Sequence, residues 1–393
     1  MGLTIEDTRQ PEKSAASVRS TVTKVHSWSG AILFVLVFLV SLSGALSVFA
    51  GDMFRWQYGD AVLADDVPEA TPPATPAELL DAAMNTADEP FQPAIIMMPD
   101  SRFFMETPVV IGTNTRANKP PEQVFLTMDP YTAEHNATID VSESWTSLVV
   151  HFHDSLLLGE GGAVTIAAIG ILMILFTLTG LYQWWPRDGY LWRKASNFRL
   201  RGGTYSKMFK LHGLVGLWLA PLVILWSFTG TYLSQPDWFG NVFAPPSMDL
   251  SDEETAAMAR SCGSGSVTLA QAFDAAQSHT DGQQLKMLLL PRDESPYEFL
   301  FQGNSALNKH YGDTTVSVSA TCADTVVTKT PENLNFSETL GAMMFSLHTG
   351  RTFGPLRIPL VLLTGLLLSI MSAAGLYVWW KKTFRRTGHR YRT

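Results

Sequence analysis

The sequence predicts a membrane α-helical fold in which four transmembrane helices alternate with two soluble α+β modules. Three observations carry this prediction: a shortage of charged residues, four long apolar stretches and an internal two-fold repeat. Charged residues make up 16% of the 393 residues, whereas average globular chains contain about 25%. The net charge of −8 disfavours a nucleic-acid-binding protein, and two cysteines are too few for a disulfide scaffold.

Four stretches of 22 to 25 residues contain no Asp, Glu, Lys or Arg. A helix needs roughly 20 residues to cross a hydrocarbon core of about 30 Å. Buried core helices rarely stay uncharged over such a length, so each stretch is predicted to cross the lipid bilayer. The predicted spans are Gly30–Gly51, Gly161–Trp185, Leu211–Gln235 and Ile358–Trp380.

Lys and Arg are concentrated in three short segments: four in residues 1–25, seven between residues 185 and 211, and six in residues 381–393. Short basic segments stay in the cytoplasm. This predicts a multi-pass protein with both termini cytoplasmic and both long loops on the other side of the membrane, which in a bacterium is the periplasm. Cys262 and Cys322 share one long loop, where a disulfide between them is permitted and predicted.

These predictions divide the chain into nine sections. They are a cytoplasmic segment 1–25, TM1 26–51, periplasmic module 52–150, TM2 with its periplasmic entrance 151–185, cytoplasmic loop 186–210, TM3 211–235, periplasmic module 236–345, TM4 with its entrance 346–380, and cytoplasmic tail 381–393.

The internal repeat is the most informative feature of the chain. Lys24-Val-His26 recurs as Lys210-Leu-His212 at an offset of 186 residues. The segment from His153 to Trp185 recurs from His348 to Trp380 at an offset of 195. Each half is therefore predicted to contain a span, a small α+β module and a second span.

The modules repeat as well. Thr75 with Glu78 and Thr268 with Gln271 form capping-box patterns, which predict helix starts. Each pattern precedes an apolar strand that ends in proline, and further strands are predicted around 102–128 and 296–320. Residues 52–75, rich in Pro, Ala and Asp, are predicted to be a linker.

Four of the nine histidines occupy equivalent positions in the repeat, each at the N-terminal entrance of a span. Because the spans alternate in direction, His26 and His212 are predicted at the cytoplasmic face, and His153 and His348 at the periplasmic face. A lone His at a membrane boundary is commonly an interfacial residue. Two repeat-related pairs instead favour bis-His ligation of two b-type haem irons, because neutral imidazole binds iron axially from both sides.

Neighbouring residues leave some alternatives open. His151 competes with His153 for the ligand position, and the 195-residue offset favours His153. Arg351 is a candidate partner for a haem propionate or a plain interfacial residue. The remaining histidines, which have no repeat partner, are predicted to be solvated: His135, His279, His310 and His389.

Glycines lie inside the spans, often directly after Ser, Thr or Ala. Small residues of this kind either let helices pack closely or make room for a flat porphyrin. They are Gly30, Gly44, Gly180, Gly216, Gly230 and Gly375.

Motifs for other chemistries are missing. The sequence contains no GxGxxG after a strand, no Walker motif and no HExxH. We therefore expect no flavin- or nicotinamide-binding domain, and electrons from a separate cytoplasmic or quinol donor. No side chain is predicted to act as a catalytic acid, base or nucleophile, since cofactors of this kind carry the chemistry.

The segments "KVHSWSG", "HDSLLLG", "KLHGLVGLW", "SLHTGRTFG" and "GLYVWW" resemble the PepSY-associated transmembrane helix family. More narrowly, the chain is similar to FoxB-type bacterial inner-membrane ferric-siderophore reductases. The resemblance covers roughly residues 20–385. It implies two b-type haems ligated by His26, His153, His212 and His348, periplasmic PepSY-like modules, and electron transfer to a ferric chelate in the periplasm.

The sequence therefore predicts a transmembrane dihaem b-type cytochrome that reduces a ferric siderophore, taken as a hydroxamate type, and releases Fe(II) for iron acquisition. Two alternatives stay open. One is a respiratory or quinol-linked electron carrier without a siderophore substrate. The other is a haem-free, membrane-anchored PepSY sensor or peptidase inhibitor.

Overall fold

A computed structural model describes residues 10–63, 72–87, 90–99, 106–115, 122–186, 190–243, 250–259, 266–292, 295–303 and 312–384. These residues form two compact units. The first, the helical unit, contains the described residues of 10–48, 152–235 and 347–384. The second, the sheet unit, contains those of 49–151 and 236–346.

The α-helices are numbered in chain order. They are α1 Gln10–Leu46, α2 Ala50–Tyr58, α3 Pro76–Thr86, α4 Trp145–Ser155, α5 Gly159–Trp184, α6 Leu191–Ala195, α7 Thr204–Ser234, α8 Asp252–Met258, α9 Leu269–Gln277, α10 Phe336–His348 and α11 Arg357–Phe384.

Helices α1, α5, α7 and α11 are long and apolar enough to cross a membrane. Their large apolar side chains, such as Ile32, Leu175 and Leu363, point outward and are more than half exposed. Lipid accepts such surfaces, whereas a water-soluble protein rarely carries so many. The prediction of a multi-pass helical membrane protein is therefore confirmed.

The four spans pack in a repeat-related way, with α1 on α11 and α5 on α7 as the most extensive contacts. In α5, a Cβ at Gly170 would collide with Thr231 and lie 2.9 Å from the Ser227 carbonyl of α7. In α11, a Cβ at the equivalent Gly365 would lie 2.7 Å from Ala45 of α1. Small residues thus let the second span of each half approach the first span of the other half.

Helices α4 and α10 end just before the spans α5 and α11. The connections need left-handed backbone, with φ of 59° at Gly159 and 55° at Gly354, two glycines that the repeat relates. Glycine adopts these angles at little cost. His153 and His348 therefore lie on short separate helices rather than inside the spans that follow.

The sheet unit contains eight antiparallel strands. They are β1 Phe91–Met97, β2 Val109–Asn114, β3 Glu122–Met128, β4 His135–Asp140, β5 Gln284–Leu289, β6 Tyr297–Gln302, β7 Thr314–Val318 and β8 Val326–Lys329.

Each half of the chain supplies four of these strands, in the order β4-β3-β2-β1-β5-β6-β7-β8. The strands of the two predicted α+β modules thus form one sheet, because β1 and β5 pair with Ile96 opposite Leu288. An unpaired strand edge exposes backbone N–H and C=O groups, so joining the two modules satisfies both inner edges at once.

Helices α3 and α9 pack on this sheet through buried residues such as Leu79 and Ala272, against Ile96, Leu288 and Phe299. Both helices begin at the predicted capping boxes. Each Thr hydroxyl accepts a hydrogen bond from the third helical residue, whose side chain accepts one from the Thr backbone N–H. The predicted helix starts are confirmed.

The linker predicted for residues 52–75 is wrong over its first part, which is helical in α2 and in the 3₁₀ turn Gly59–Val62. Phe54 and Val62 are buried there against Val109, Ile111 and Ile139 of the sheet. These apolar contacts override the weak helix propensity of the segment. Residues 64–71 lie outside the described part of the chain.

Cys322 is buried and disulfide-bonded. Its predicted partner, Cys262, lies outside the described residues.

Candidate functional site

The four histidines singled out by the repeat all belong to the helical unit and are half-buried. His26 lies in α1 and His212 in α7, while His153 lies near the end of α4 and His348 is the last residue of α10. Each pair therefore takes one His from each half of the chain.

The structure brings these residues together in two pairs. The imidazole centroids of His26 and His212 are 6.4 Å apart, with an angle of 76° between the rings. Those of His153 and His348 are 6.0 Å apart, with an angle of 36°. His151, the competing residue, has an exposed side chain.

Two of the four rings are oriented by backbone carbonyls of a neighbouring helix. His212 Nδ1 lies 2.9 Å from the Met371 carbonyl oxygen of α11, and His153 Nδ1 lies 3.0 Å from that of Val40 in α1. A carbonyl oxygen can only accept a hydrogen bond, so Nδ1 carries the proton in both rings. The Nε2 atom of each is then the nitrogen with a free lone pair.

The other two rings are oriented by threonine hydroxyls. His26 Nδ1 lies 3.0 Å from Thr179 Oγ1, and His348 Nδ1 lies 3.0 Å from Thr229 Oγ1. Thr179 donates its own hydroxyl proton to the Leu175 carbonyl at 2.9 Å, and Thr229 makes the same bond to the carbonyl four residues earlier. With its proton on that carbonyl, each hydroxyl oxygen accepts from Nδ1–H, and this arrangement leaves Nε2 unprotonated.

A glycine lies beside each ring. A Cβ added at Gly44 would lie 2.6 Å from Cε1 of His153, and one at Gly230 would lie 2.9 Å from Cε1 of His348. At Gly375 the distance to Cε1 of His212 is also 2.9 Å, and at Gly180 the distance to Cε1 of His26 is 3.4 Å. The absence of a side chain therefore gives the rings of His153, His348 and His212 their space, whereas the contact at Gly180 is an ordinary one.

The two pairs lie at different levels of the bundle. His26 and Gly44, which contacts His153, are 18 positions apart in the continuous helix α1. At 1.5 Å per residue this separation is about 27 Å along the helix axis. The pairs are therefore two distinct sites.

The donor set fits a group that binds an imidazole on each of two faces. With their centroids 6.4 Å and 6.0 Å apart, the two rings of each pair would hold the same iron. Among the described residues, no group of three or more His, Cys, Asp or Glu side chains is placed to hold a bare metal ion. Paired neutral imidazoles in an apolar bundle suit the axial positions of a b-type haem.

Arg351 and the four remaining histidines, which the sequence analysis also considered, are not part of the two histidine pairs. Arg351 begins a 3₁₀ turn three residues after His348, with its Nε and Nη1 atoms shielded from solvent. His135 and His279 belong to the sheet unit and make local hydrogen bonds. His310 and His389 lie outside the described residues.

The residues that orient the rings were not predicted from the sequence. A signal was present for Thr179, Thr229 and Ser43, because each directly precedes one of the glycines that contact a histidine. Val40 and Met371 gave no signal, since they act through their backbone carbonyls.

Residues 23–382 match the family described as the PepSY-associated TM region. The chain belongs to this family. A stretch of 83 residues is also 34% identical to an uncharacterized protein of Pseudomonas aeruginosa, and covers 21% of this chain and 20% of that relative. The chain thus spans about a fifth of the length of the curated relative it matches.

Proposed function

We propose that the protein is a transmembrane dihaem b-type cytochrome that passes electrons outward from the cytoplasmic side and reduces a ferric siderophore in the periplasm. One observation carries the proposal: four histidine rings, each with Nδ1 within 3.0 Å of a carbonyl or hydroxyl oxygen, form two pairs with centroids 6.4 Å and 6.0 Å apart. Bound haem supplies reversible one-electron chemistry at each pair.

The residues of the chain hold and insulate the two sites. His26 with His212, and His153 with His348, would hold the two haems through their imidazole nitrogens, and the contacts of Nδ1 would keep each ring in place. The apolar bundle keeps water away. The levels are about 27 Å apart along the bundle, so two centres in series suit electron transfer across a membrane better than one.

The orientation rests on charge and on the cysteine chemistry. Three short basic segments favour the cytoplasm for both termini and the 186–210 loop of a bacterial inner membrane. The sheet unit then lies in the periplasm, an oxidising compartment in which the disulfide of Cys322 is stable. The electron donor would be a cytoplasmic protein or a quinol, which binds from the His26/His212 side.

Ferric siderophore is the substrate that the family resemblance favours. One electron converts its Fe(III) to Fe(II), which hard oxygen ligands hold far less tightly, so the metal is released. The chain passes between the bundle and the sheet unit within a few residues of His153 and His348. We therefore place the reduction at this pair, with Arg351 as a candidate contact for a haem propionate.

The absorption spectrum of the purified protein is the first test. We expect the Soret and α bands of a low-spin b-type cytochrome and a pyridine haemochrome stoichiometry of about two haems per chain. A protein purified from haem-replete cells without these bands would contradict the proposal and favour the membrane-anchored sensor or peptidase inhibitor.

The second test concerns the substrate. Protein reduced with dithionite under anaerobic conditions should be reoxidised by a ferric hydroxamate siderophore in stopped-flow spectra, with one Fe(II) formed per electron. His348→Ala should abolish this reaction while the cytoplasmic-side haem stays reducible. If no ferric chelate reoxidises the wild-type protein, the quinol-linked electron carrier becomes the better interpretation. Reoxidation that persists in His348→Ala would show that the reaction does not occur at the His153/His348 pair.

A further inference from the structure

Three of the four histidines lie against a dipeptide in which a hydroxyl residue precedes glycine. The dipeptides are Ser43-Gly44 at His153, Thr179-Gly180 at His26 and Thr229-Gly230 at His348. At His212 the dipeptide is Ala374-Gly375, and the Met371 carbonyl accepts from Nδ1 instead.

The two threonines differ from Ser43 in what they do. Ser43 Oγ lies 3.4 Å from His153 Nδ1, which also has the Val40 carbonyl at 3.0 Å. For His26 and His348, the hydrogen-bond partner of Nδ1 among the described residues is a threonine hydroxyl. A side chain therefore orients one ring of each pair, and a backbone carbonyl orients the other.

We infer that Thr179 and Thr229 are positioning residues that fix the tautomer and ring orientation of His26 and His348, one at each haem site. The inference rests on the proposed function. In each case the hydroxyl lies within 2.9 Å of a carbonyl of its own helix, and with its proton there it offers a lone pair to Nδ1–H.

The chemistry explains why the hydroxyl matters. Valine has nearly the shape of threonine but cannot accept a hydrogen bond, so Nδ1–H would be left without a partner in an apolar bundle. The ring would then turn, or shift its proton to Nε2, the nitrogen that has to coordinate. Losing such an outer partner typically weakens metal binding by about 10–100-fold.

Thr179→Val and Thr229→Val test the inference in the full-length holoprotein. The rate at which each variant loses haem to excess apomyoglobin should rise by about 10–100-fold at the affected site. The midpoint potential of that site should shift as well. Thr179→Ser and Thr229→Ser, which keep the hydroxyl, should behave like the wild type.

Thr177→Val is a matched control. Thr177 lies in α5, the helix of Thr179, and its hydroxyl likewise donates to the carbonyl four residues earlier, at Met173. The variant should leave both haems unchanged. The haem at the unaltered site of each variant reports whether the bundle has folded.

Three outcomes distinguish a failure of this inference from a failure of the proposed function. Wild-type protein without haem would contradict the proposed function. Wild-type protein with two haems, together with unchanged haem loss and potentials in both valine variants, would overturn the positioning role alone. A loss of haem in the serine variants equal to that in the valine variants would also overturn it.

Discussion

The two histidine pairs are built from the same repeated segments, yet their surroundings differ. The rings of His26 and His212 are nearly perpendicular, at 76°, whereas those of His153 and His348 are inclined by only 36°. His26 also contacts the ring of Phe176 edge-on, with centroids 5.7 Å apart. The repeat thus supplies the histidines twice, and neighbouring residues make the two pairs unequal.

The differences arise at positions that the repeat relates. Trp226 corresponds to Val40, and its indole N–H donates to the His348 carbonyl at 2.6 Å, so a side chain anchors the end of α10. In the first half, the Val40 carbonyl accepts from His153 itself. At equivalent positions of α1 and α7, a backbone carbonyl therefore binds the ring of His153, whereas a side chain binds the backbone of His348.

Removing a ligand should give the largest effect. His26→Ala or His212→Ala should lower the haem content from about two to about one per chain, and His153→Ala or His348→Ala should remove the other haem, because axial ligation needs both rings. Pyridine haemochrome analysis measures the content, and His151→Ala is the control. If His151→Ala removes a haem while His153→Ala does not, the ligand assignment within that pair is wrong.

The glycines allow a graded comparison between the sites. Gly44→Ala would place a methyl group 2.6 Å from His153 Cε1, whereas Gly180→Ala would place one at 3.4 Å from His26 Cε1, an ordinary contact. Haem loss at the His153/His348 site should therefore rise by about tenfold or more in Gly44→Ala, with little change in Gly180→Ala.

Both substitutions gain similar helix propensity, so stability effects of that kind cancel in the comparison. The transfer of haem to apomyoglobin measures the outcome. Equal haem loss in the two variants would show that the distance between the glycine and the histidine ring does not control how tightly each site holds haem.

Ring orientation should make the two haems distinguishable by electron paramagnetic resonance. Nearly perpendicular axial rings give a low-spin ferric signal with a large maximal g value, and more nearly parallel rings give a rhombic signal. We expect the first type from His26/His212 and the second from His153/His348. Single-site histidine variants assign each signal, and an exchanged assignment would contradict the observed ring angles.

The smallest expected effect is a difference in pH dependence between the two capping boxes. Thr75 donates its backbone N–H to the Glu78 carboxylate, and this hydrogen bond lowers the pKa of Glu78. A lowered pKa means that the ionised cap stabilises α3 at neutral pH and that this contribution is lost as the pH falls through the folded-state pKa. Gln271, at the equivalent position of α9, does not titrate.

Hydrogen–deuterium exchange of the full-length protein tests this comparison. The protection of α3 relative to α9 should decrease between pH 7 and pH 3, after correction for intrinsic exchange rates. Glu78→Gln should remove the pH dependence of this ratio. A ratio that stays pH-dependent in Glu78→Gln would assign the effect to another carboxylate.

Local and periodic features of the sequence determined much of this protein. Charge-free apolar stretches define the four spans, because a membrane imposes both their length and their composition. The capping boxes define the starts of α3 and α9, since the interacting residues are three positions apart. The repeat offsets selected the four histidines that the bundle brings together, while their binding of haem stays a prediction.

Only the tertiary structure decided how these parts meet. The pairing of β1 with β5 joins two predicted modules into one sheet, and the contacts of Phe54 and Val62 make a predicted linker helical. The backbone carbonyls of Val40 and Met371 orient two of the rings. Because every residue has a backbone carbonyl, the residue types at these positions do not predict this role. Such choices depend on which backbone atoms lie within about 3 Å of each other after the helices have packed.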